Sequence, residues 1–135
     1  MTTEKKTTVL VVDDSGDLAT ILAMLLNSEA DITCIGTISS ADTLVDTVLE
    51  MKPDVVLLDL TMPGRNPLDA MSETAERAPH SRFIVHSGYD DLPRIERAID
   101  RGAWGFVSKH DGPQRVVEAV RTVAAGQVYL NDLKR

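Results

Sequence analysis

Short apolar runs and helix-like stripes alternate along the whole chain. A short apolar run bounded by turn residues is typical of a buried strand, whereas apolar residues at i, i+3, i+4 and i+7 predict one face of a helix. Strands are predicted at 8–12, 32–36, 55–59, 82–87 and 104–108. The stripe of the first helix consists of Leu18, Ile21, Leu22 and Leu25. Later stripes predict helices over 44–49, 68–78, 95–99 and 116–124.

The alternation of strand and helix predicts an α/β domain. Right-handed crossovers make successive strands parallel and place helices on both faces of the sheet. Strands one, three and four are apolar throughout, as central strands are, and strands two and five are mixed, as edge strands are. We therefore predict a doubly wound (βα)5 fold with a five-stranded parallel sheet in the order 2-1-3-4-5. On strand five, Trp104 and Phe106 are predicted to share one face.

The composition indicates one soluble domain. The chain has 135 residues, of which 43% are apolar and 26% charged, as is ordinary for a globular protein. Its net charge of −7 argues against contact with nucleic acid or with an anionic membrane surface. No apolar run approaches a membrane span, the first residues lack the core of a signal peptide, and the single cysteine, Cys34, fits a reducing compartment. We expect a cytoplasmic protein.

Polar side chains follow four of the predicted strands at one edge of the sheet. Asp13 and Asp14 end strand one, Asp59 ends strand three, Ser87 ends strand four, and Lys109 follows strand five. Ligands of this fold bind beyond the carboxyl ends of the strands, at the switch point between strands one and three. Three carboxylates there predict a Mg²⁺ or Mn²⁺ site. A carboxylate can also attack phosphorus, while a lysine and a hydroxyl hold the phosphoryl oxygens.

Each of these groups alone has a plainer interpretation. The first acid pair can be a helix N-cap, Asp59 can form a turn, Ser87 can belong to a turn, and Lys109 can be a solvated surface charge. Their position at one shared edge favours the chemical interpretation. His86, inside strand four, is expected to be a hydrogen-bonded, partly buried histidine.

Four motifs surround these residues. They are Val-Val-Asp13-Asp14, Leu-Leu-Asp59-Leu-Thr-Met-Pro-Gly, Ser87-Gly88 and Gly105-Phe106-Val107-Ser108-Lys109. Together they resemble the receiver domain of bacterial two-component response regulators, over about residues 9–126. The resemblance implies the flavodoxin/CheY-like fold. It also implies that Asp59 accepts a phosphoryl group from a sensor histidine kinase or a histidine phosphotransfer protein, in a domain that catalyses only its own phosphotransfer and dephosphorylation.

The same resemblance assigns the ligands of a Mg²⁺ or Mn²⁺ ion. Asp14 and Asp59 would bind the ion directly, and Asp13 would act mainly through a bound water. The backbone carbonyl of Thr61 would complete the protein ligands, and Lys109 would pair with the phosphoryl group.

A conformational switch is also implied by the resemblance. Ser87 would hydrogen-bond the phosphoryl group, and Phe106 would swing inward behind it. Phe106 stands where the family often has tyrosine, so it brings no hydroxyl.

Thr61 and Tyr89, two residues past Asp59 and Ser87, would flank the path of hydrolytic water, and bulky Tyr89 would lengthen the phosphoryl lifetime.

Pro67 departs from the family pattern, which usually has glycine after an aspartate or asparagine at this place. Proline fixes φ at about −65° and donates no hydrogen bond, so the loop before it is expected to be stiffer and differently shaped.

The last residues indicate a subclass. Residues 120–130 resemble the end of receivers of the NarL/FixJ class, which precede a helix-turn-helix output domain. We therefore expect 1–135 to be one receiver domain with its core at about 7–127, and 128–135 to begin a linker to a transcriptional output domain that this sequence lacks. We favour a sequence cut at that linker over a receiver that stands alone. Helix four, strand five and helix five form a candidate contact face, for which solvated arginines are the commoner explanation. A homodimer is a candidate assembly, with its interface left open.

Three other functions are compatible with parts of the pattern. A phosphorylation-independent interaction or dimerisation module would keep the fold without the chemistry, and Pro67 and Phe106 leave it open. A haloacid-dehalogenase-type phosphatase needs a second acid two residues after its nucleophile, where this chain has Thr61. A flavodoxin-like flavin protein is disfavoured because the acids at 13, 14 and 17 would repel the flavin phosphate.

Overall fold

The structure is a computed structural model that describes residues 5–130. Within that range five strands alternate with five α-helices, which confirms the predicted α/β pattern. The elements are β1 (Thr7–Val12), α1 (Gly16–Asn27), β2 (Ile32–Ile38), α2 (Leu44–Met51), β3 (Val55–Leu58), α3 (Pro67–Arg77), β4 (Arg82–Ser87), α4 (Leu92–Asp100), β5 (Ala103–Ser108), a 3₁₀ turn (Lys109–Asp111) and α5 (Gln114–Ala124).

The sheet is parallel and has the predicted order, β2-β1-β3-β4-β5. β1 pairs with β3 as far as Val12↔Leu58, and with β2 as far as Val12↔Ile38. The second pairing explains why β2 runs to Ile38, beyond the predicted end at 36. The carboxyl ends of β1, β3 and β4 therefore meet at one edge.

The sheet separates two apolar layers. Along β1, Val9 and Val11 pack in the layer with α1 and α5, whereas Leu10 and Val12 pack in the layer with α2, α3 and α4. All four side chains are at most 1% exposed. A strand that is buried on both faces requires apolar residues on both, which is why the central strands could be predicted from the sequence.

The buried face of α1 differs from the predicted stripe at Ile21, whose side chain is 52% exposed. The helix buries Ala19, Leu22 and Leu26 instead. Neighbouring helix residues point about 100° apart, so Ile21 and Leu22 cannot both face the centre of the sheet. The prediction for Ile21 was wrong because periodicity alone does not give the rotation of a helix about its axis.

Trp104 and Phe106 do not share a face, contrary to the prediction. Phe106 packs in the layer with α4, while Trp104 packs against the layer with α5. The pairing of β4 with β5 shifts between Phe83↔Ala103 and Ile84↔Gly105, so Trp104 is the extra residue of a β-bulge. Strict alternation fails at a bulge. Arg82 stacks on the Trp104 ring, 4.4 Å from its centroid.

Beyond α5 the chain returns to the edge of the sheet. The Tyr129 N–H donates to the carbonyl of Trp104, and the Phe106 N–H donates to the carbonyl of Tyr129, both at 3.0 Å. Tyr129 is only 7% exposed. The segment predicted as a linker, 128–135, thus contains a residue that covers the β5 edge. Residues 131–135 lie outside the described part, and a boundary at 128 stays a prediction.

Of the helices described between residues 5 and 130, none combines the length and the apolar character that crossing a membrane requires.

Candidate functional site

Backbone pairing places Asp13 and Asp59 side by side just beyond their strands. The Asp13 N–H donates to the carbonyl of Ile38 at 3.0 Å, and the Asp59 N–H donates to the carbonyl of Val12 at 2.9 Å. Both residues therefore continue the parallel ladder by one step. The two side chains are buried, at 4% and 2% exposure. Burying a carboxylate is energetically unfavourable unless it is ion-paired or hydrogen-bonded, so neighbouring groups must supply the partners.

Three carboxylates meet at this edge. Asp13, Asp14 and Asp59 each offer one oxygen, and these oxygens lie within 4.8 Å of one another. Ser15 provides the N-cap of α1 by accepting from the N–H of Leu18, so neither acid of the pair serves as the cap. Asp14 is exposed and leaves one side of the cluster open to water. Hard oxygen donors with an open side fit a Mg²⁺-like cation.

Lys109 reaches the two buried acids from the turn after β5. Its Nζ lies 3.2 Å from Asp13 Oδ2 and 3.2 Å from Asp59 Oδ1. Burial alone would lower the pKa of Lys109, but the carboxylates of Asp59 and Asp13 outweigh it and raise that pKa. The lysine is therefore a fixed positive charge at the centre of the site.

Asp59 titrates unlike a surface aspartate. Burial raises its pKa above the ordinary range, and the nearby Asp13 carboxylate acts in the same direction. The N–H of Thr61, which donates to Asp59 Oδ1 at 3.1 Å, and the Lys109 ammonium oppose that shift. The site thus holds like charges close together, which Lys109 offsets in part and a divalent cation would offset further.

The two buried carboxylates differ in which oxygens are in use. Asp13 uses both, because Oδ1 accepts from the N–H of Ser15 at 2.9 Å and Oδ2 contacts Lys109. In Asp59 both the Thr61 N–H and Lys109 contact Oδ1. Among residues 5–130 nothing donates to Asp59 Oδ2, so this oxygen is free to form a new bond.

Ser87 ends β4 next to these acids and is 2% exposed. Its Oγ accepts from the N–H of Tyr89 at 3.0 Å, which leaves the hydroxyl proton available for donation. The Tyr89 side chain is 58% exposed and lies over Arg94. Across the loops, His110 Nε2 lies 3.0 Å from the carbonyl of Gly88, so the turns after β4 and β5 touch.

Phe106 is buried, at 4% exposure, in the apolar layer that also contains Val85 and Ile95. On the adjacent strand β4, His86 pairs with Val107 and is 3% exposed, and its Nδ1 has no hydrogen-bond partner within the part of the chain that the structure describes. The prediction of a hydrogen-bonded histidine is therefore wrong for that nitrogen. Burial lowers the pKa of His86 to about 4, and the positive charge of Lys109 contributes.

Pro67 fits the loop after β3 without strain on the helix that follows. It occupies the first turn of α3, where a missing N–H costs nothing, and Asn66 caps the helix by accepting from the N–H of Asp69 at 3.1 Å. The loop is also held by Asp42, whose Oδ1 accepts from the N–H of Arg65 at 2.8 Å. No motif or hydrophobic pattern pointed to Asp42, because this contact joins residues 23 apart.

Comparison with known proteins agrees with this geometry. The family model described as response regulator receiver domain matches residues 9–121. The nitrate/nitrite response regulator protein NarL of Escherichia coli is 30% identical over 132 residues, which cover 98% of this chain and 61% of that protein. The oxygen regulatory protein NreC of Staphylococcus haemolyticus is 31% identical over 91% of this chain and 57% of that protein. This chain therefore spans about three-fifths of the length of these relatives.

Among solved structures, a LuxR-family two-component response regulator from Aurantimonas superposes with a TM-score of 0.89. It is 21% identical, and the match covers 95% of this chain and 91% of that one. This likeness concerns the fold alone. The family model and the two relatives confirm both the recognised family and the subclass indicated by residues 120–130. The chain belongs to the response regulator receiver domain family, in its NarL/FixJ class.

Proposed function

We propose that this receiver domain accepts a phosphoryl group on Oδ2 of Asp59. The observation that carries the proposal is the difference between the two buried acids. Asp59 Oδ2 has no donor among residues 5–130, whereas both oxygens of Asp13 are engaged. A nucleophile needs a free lone pair directed at the reacting atom, and Asp59 has one next to the ammonium of Lys109.

Asp13, Asp14 and Asp59 are the residues that would hold a divalent cation, with the Thr61 backbone carbonyl as a further ligand and Asp13 acting through a water. The oxygen donors and the open side at Asp14 support this assignment to Mg²⁺ or Mn²⁺. When bound, the ion supplies positive charge to the phosphoryl oxygens.

The expected donor is the phosphohistidine of a sensor kinase or of a histidine phosphotransfer protein. The Asp59 oxygen attacks phosphorus, the bond from phosphorus to the imidazole nitrogen breaks, and that nitrogen keeps the electron pair. A ring that carries a proton on its other nitrogen then leaves as neutral imidazole. Lys109 and the Ser87 hydroxyl would hold two of the phosphoryl oxygens, and this is supported by the contact of Lys109 with Asp59 and by the free hydroxyl proton of Ser87. Hydrolysis of the acyl phosphate, catalysed by the same site, then returns the carboxylate.

Ser87 and Phe106 are the proposed switch. Ser87 is free to donate its proton to an arriving phosphoryl oxygen, and Phe106, on the adjacent strand β5, is buried in the apolar layer with Val85. A shift from 1:99 to 99:1 between two states takes about 5.5 kcal/mol of differential stabilisation. Three charge-assisted hydrogen bonds of about 2 kcal/mol each would supply that.

The output of the whole protein is proposed by analogy with its relatives. NarL and NreC are named as regulators and are longer than this chain. We propose that this receiver controls transcription through a helix-turn-helix domain, in the cytoplasm, with a homodimer as a candidate active form. The net charge of −7 argues against direct contact between the receiver itself and DNA.

Beryllofluoride, a mimic of the phosphoryl group, distinguishes this proposal from a phosphorylation-independent module. With Mg²⁺ present, we expect the amide resonances of Asp59, Thr61, Ser87 and Lys109 to shift, because the mimic binds Asp59 Oδ2 and contacts the other groups. Two-dimensional ¹⁵N NMR of the chain measures this, with Asp59→Asn as the control that should not respond. Unmoved resonances around Asp59 in the wild type would favour the interaction module.

Tyr89 is proposed to control the lifetime of the acyl phosphate, together with Thr61. Its exposed ring covers one side of the cleft that Thr61 and Ser87 also line. We expect Tyr89→Ala to dephosphorylate several-fold faster, because water reaches the phosphorus more easily. Tyr89→Phe keeps the ring and serves as the control. The decay of labelled protein after removal of the donor gives both rates, and an unchanged rate for Tyr89→Ala would rule out shielding.

A further inference from the structure

A cleft of about 250 Å³ opens directly beside the proposed phosphorylation site. Its lining includes Thr61, whose N–H donates to Asp59 Oδ1, and Ser87 at the end of β4. The opposite side comes from α4, through Arg94 and Arg97. A group bound at phosphorus and directed away from Asp59 therefore has a neighbouring space to occupy, and that space is lined by two guanidinium groups.

The two arginines differ in how far their charge is already used. Arg94 pairs with Asp91, with its NH1 2.5 Å from Oδ1, and stacks on the Tyr89 ring 5.1 Å from the centroid. Arg97 is exposed and forms no ion pair with any residue between 5 and 130. In a chain with a net charge of −7, an arginine without a carboxylate partner at the mouth of an acidic site is a charge available to an incoming anion.

We propose that this cleft is a subsite for the leaving group of acyl phosphate donors, with Arg97 binding the carboxylate that departs. The inference rests on the proposed phosphorylation of Asp59 and adds a preference among small donors. The apolar side chains of Leu60 and Leu68 complete the cleft and suit the short alkyl part of such a donor. Arg97 supplies a planar fork of donors that matches a carboxylate.

The chemistry explains why a cation matters for this class of donor. In transfer from acetyl phosphate, the new bond joins an Asp59 oxygen to phosphorus, and the bond from phosphorus to the acyl oxygen breaks. The electron pair goes to that oxygen, and acetate leaves with the negative charge and needs no proton. Charge thus grows on the leaving oxygen during the reaction, and a guanidinium beside it stabilises the transition state more than the ground state.

Donors with a nitrogen leaving group do not develop this charge. In phosphoramidate, the protonated nitrogen takes the electron pair of the breaking bond from phosphorus and leaves as neutral ammonia. Phosphohistidine releases neutral imidazole in the same way. A cation in the cleft therefore accelerates phosphoryl transfer from acyl phosphates selectively. A general electrostatic attraction of dianions would instead accelerate transfer from both kinds of donor.

The test compares the two donors on the folded chain with Mg²⁺ present. We expect Arg97→Gln to lower the second-order rate constant of labelling by acetyl phosphate roughly fivefold, the size expected for one exposed ion pair. Labelling by phosphoramidate should change less than twofold. Arg97→Lys should recover part of the lost rate, and Arg77→Gln, which removes an exposed arginine outside the cleft, should affect neither donor.

Two results would overturn the subsite. One is an equal fall with both donors, which would indicate general attraction or a disturbed site. The other is an unchanged rate with acetyl phosphate in Arg97→Gln. Both leave the proposed function standing, because the wild type is labelled in each case. A wild-type protein that takes no label from either donor would instead overturn the proposed function and the subsite together.

Discussion

Asp59→Asn is expected to abolish phosphorylation, with labelling by acetyl phosphate and Mg²⁺ reduced to the background of the reagent. The substitution keeps the size of the side chain and its hydrogen bond from Thr61, but an amide cannot supply the nucleophilic oxygen. Although Asp59 is only 2% exposed, asparagine has the same size and keeps that hydrogen bond, so the fold should be retained, which circular dichroism can verify.

Two further variants make the Asp59 result specific. Asp13→Asn alters the same acidic cluster but keeps the free oxygen of Asp59, so it should slow labelling without eliminating it. Asp46→Asn changes an exposed acid on α2 and should label like the wild type. Intact-protein mass spectrometry gives all four extents of labelling. Continued labelling of Asp59→Asn at the wild-type rate would show that another residue is the acceptor.

A second large effect concerns His86 and the pH dependence of stability. We expect the free energy of unfolding to fall by about 2 kcal/mol more in the wild type than in His86→Val between pH 7 and pH 5. The pKa of His86 is about 4 in the folded chain, against 6.5 for an ordinary histidine. The unfolded chain therefore binds a proton as the pH drops below 6.5, while the folded chain does not until near pH 4.

The low pKa has identifiable causes. Burial of the imidazole comes first, and the positive charge of Lys109 adds to it, while Asp13 acts in the opposite direction. Protonation would leave a charged ring buried with an unpartnered Nδ1. Valine is chosen as the replacement because β4 places residue 86 opposite Val107 in a buried strand.

Urea denaturation at several pH values, without divalent cations, measures the His86 effect. Other titrating groups, such as Asp59, are present in both proteins and cancel in the difference. Parallel pH profiles for the wild type and His86→Val would contradict the assignment, since they would mean that His86 titrates normally in the folded chain.

The fold was predictable because both faces of the central strands are buried. That burial makes the middle of β1, β3 and β4 apolar, and the order 2-1-3-4-5 follows from which strands are apolar and which are mixed. The order in turn brought Asp13, Asp14, Asp59 and Lys109 to one edge, where the structure also places them. The position of the site is therefore a consequence of strand order and of polar residues at strand ends.

Other features depend on contacts that local pattern does not encode. The exposure of Ile21 follows from the rotation of α1, and the opposite faces of Trp104 and Phe106 follow from one bulged residue. The hydrogen bond from the N–H of Arg65 to Asp42 joins two separate loops. To predict any of these features, one must know which helices and strands are in contact and how each helix is rotated about its axis. Neither the hydrophobic period nor a motif contains that information.

The central claim is that Asp59 carries the phosphoryl group, and mapping the modified residue tests it most directly. The wild-type chain is labelled with acetyl phosphate and Mg²⁺ and then treated with borohydride, which reduces an aspartyl phosphate to homoserine. Peptide mass spectrometry then locates the converted residue. We predict conversion at Asp59 alone. Conversion at Asp13 or Asp14, or a phosphoryl group stable to borohydride on another side chain, would contradict the claim.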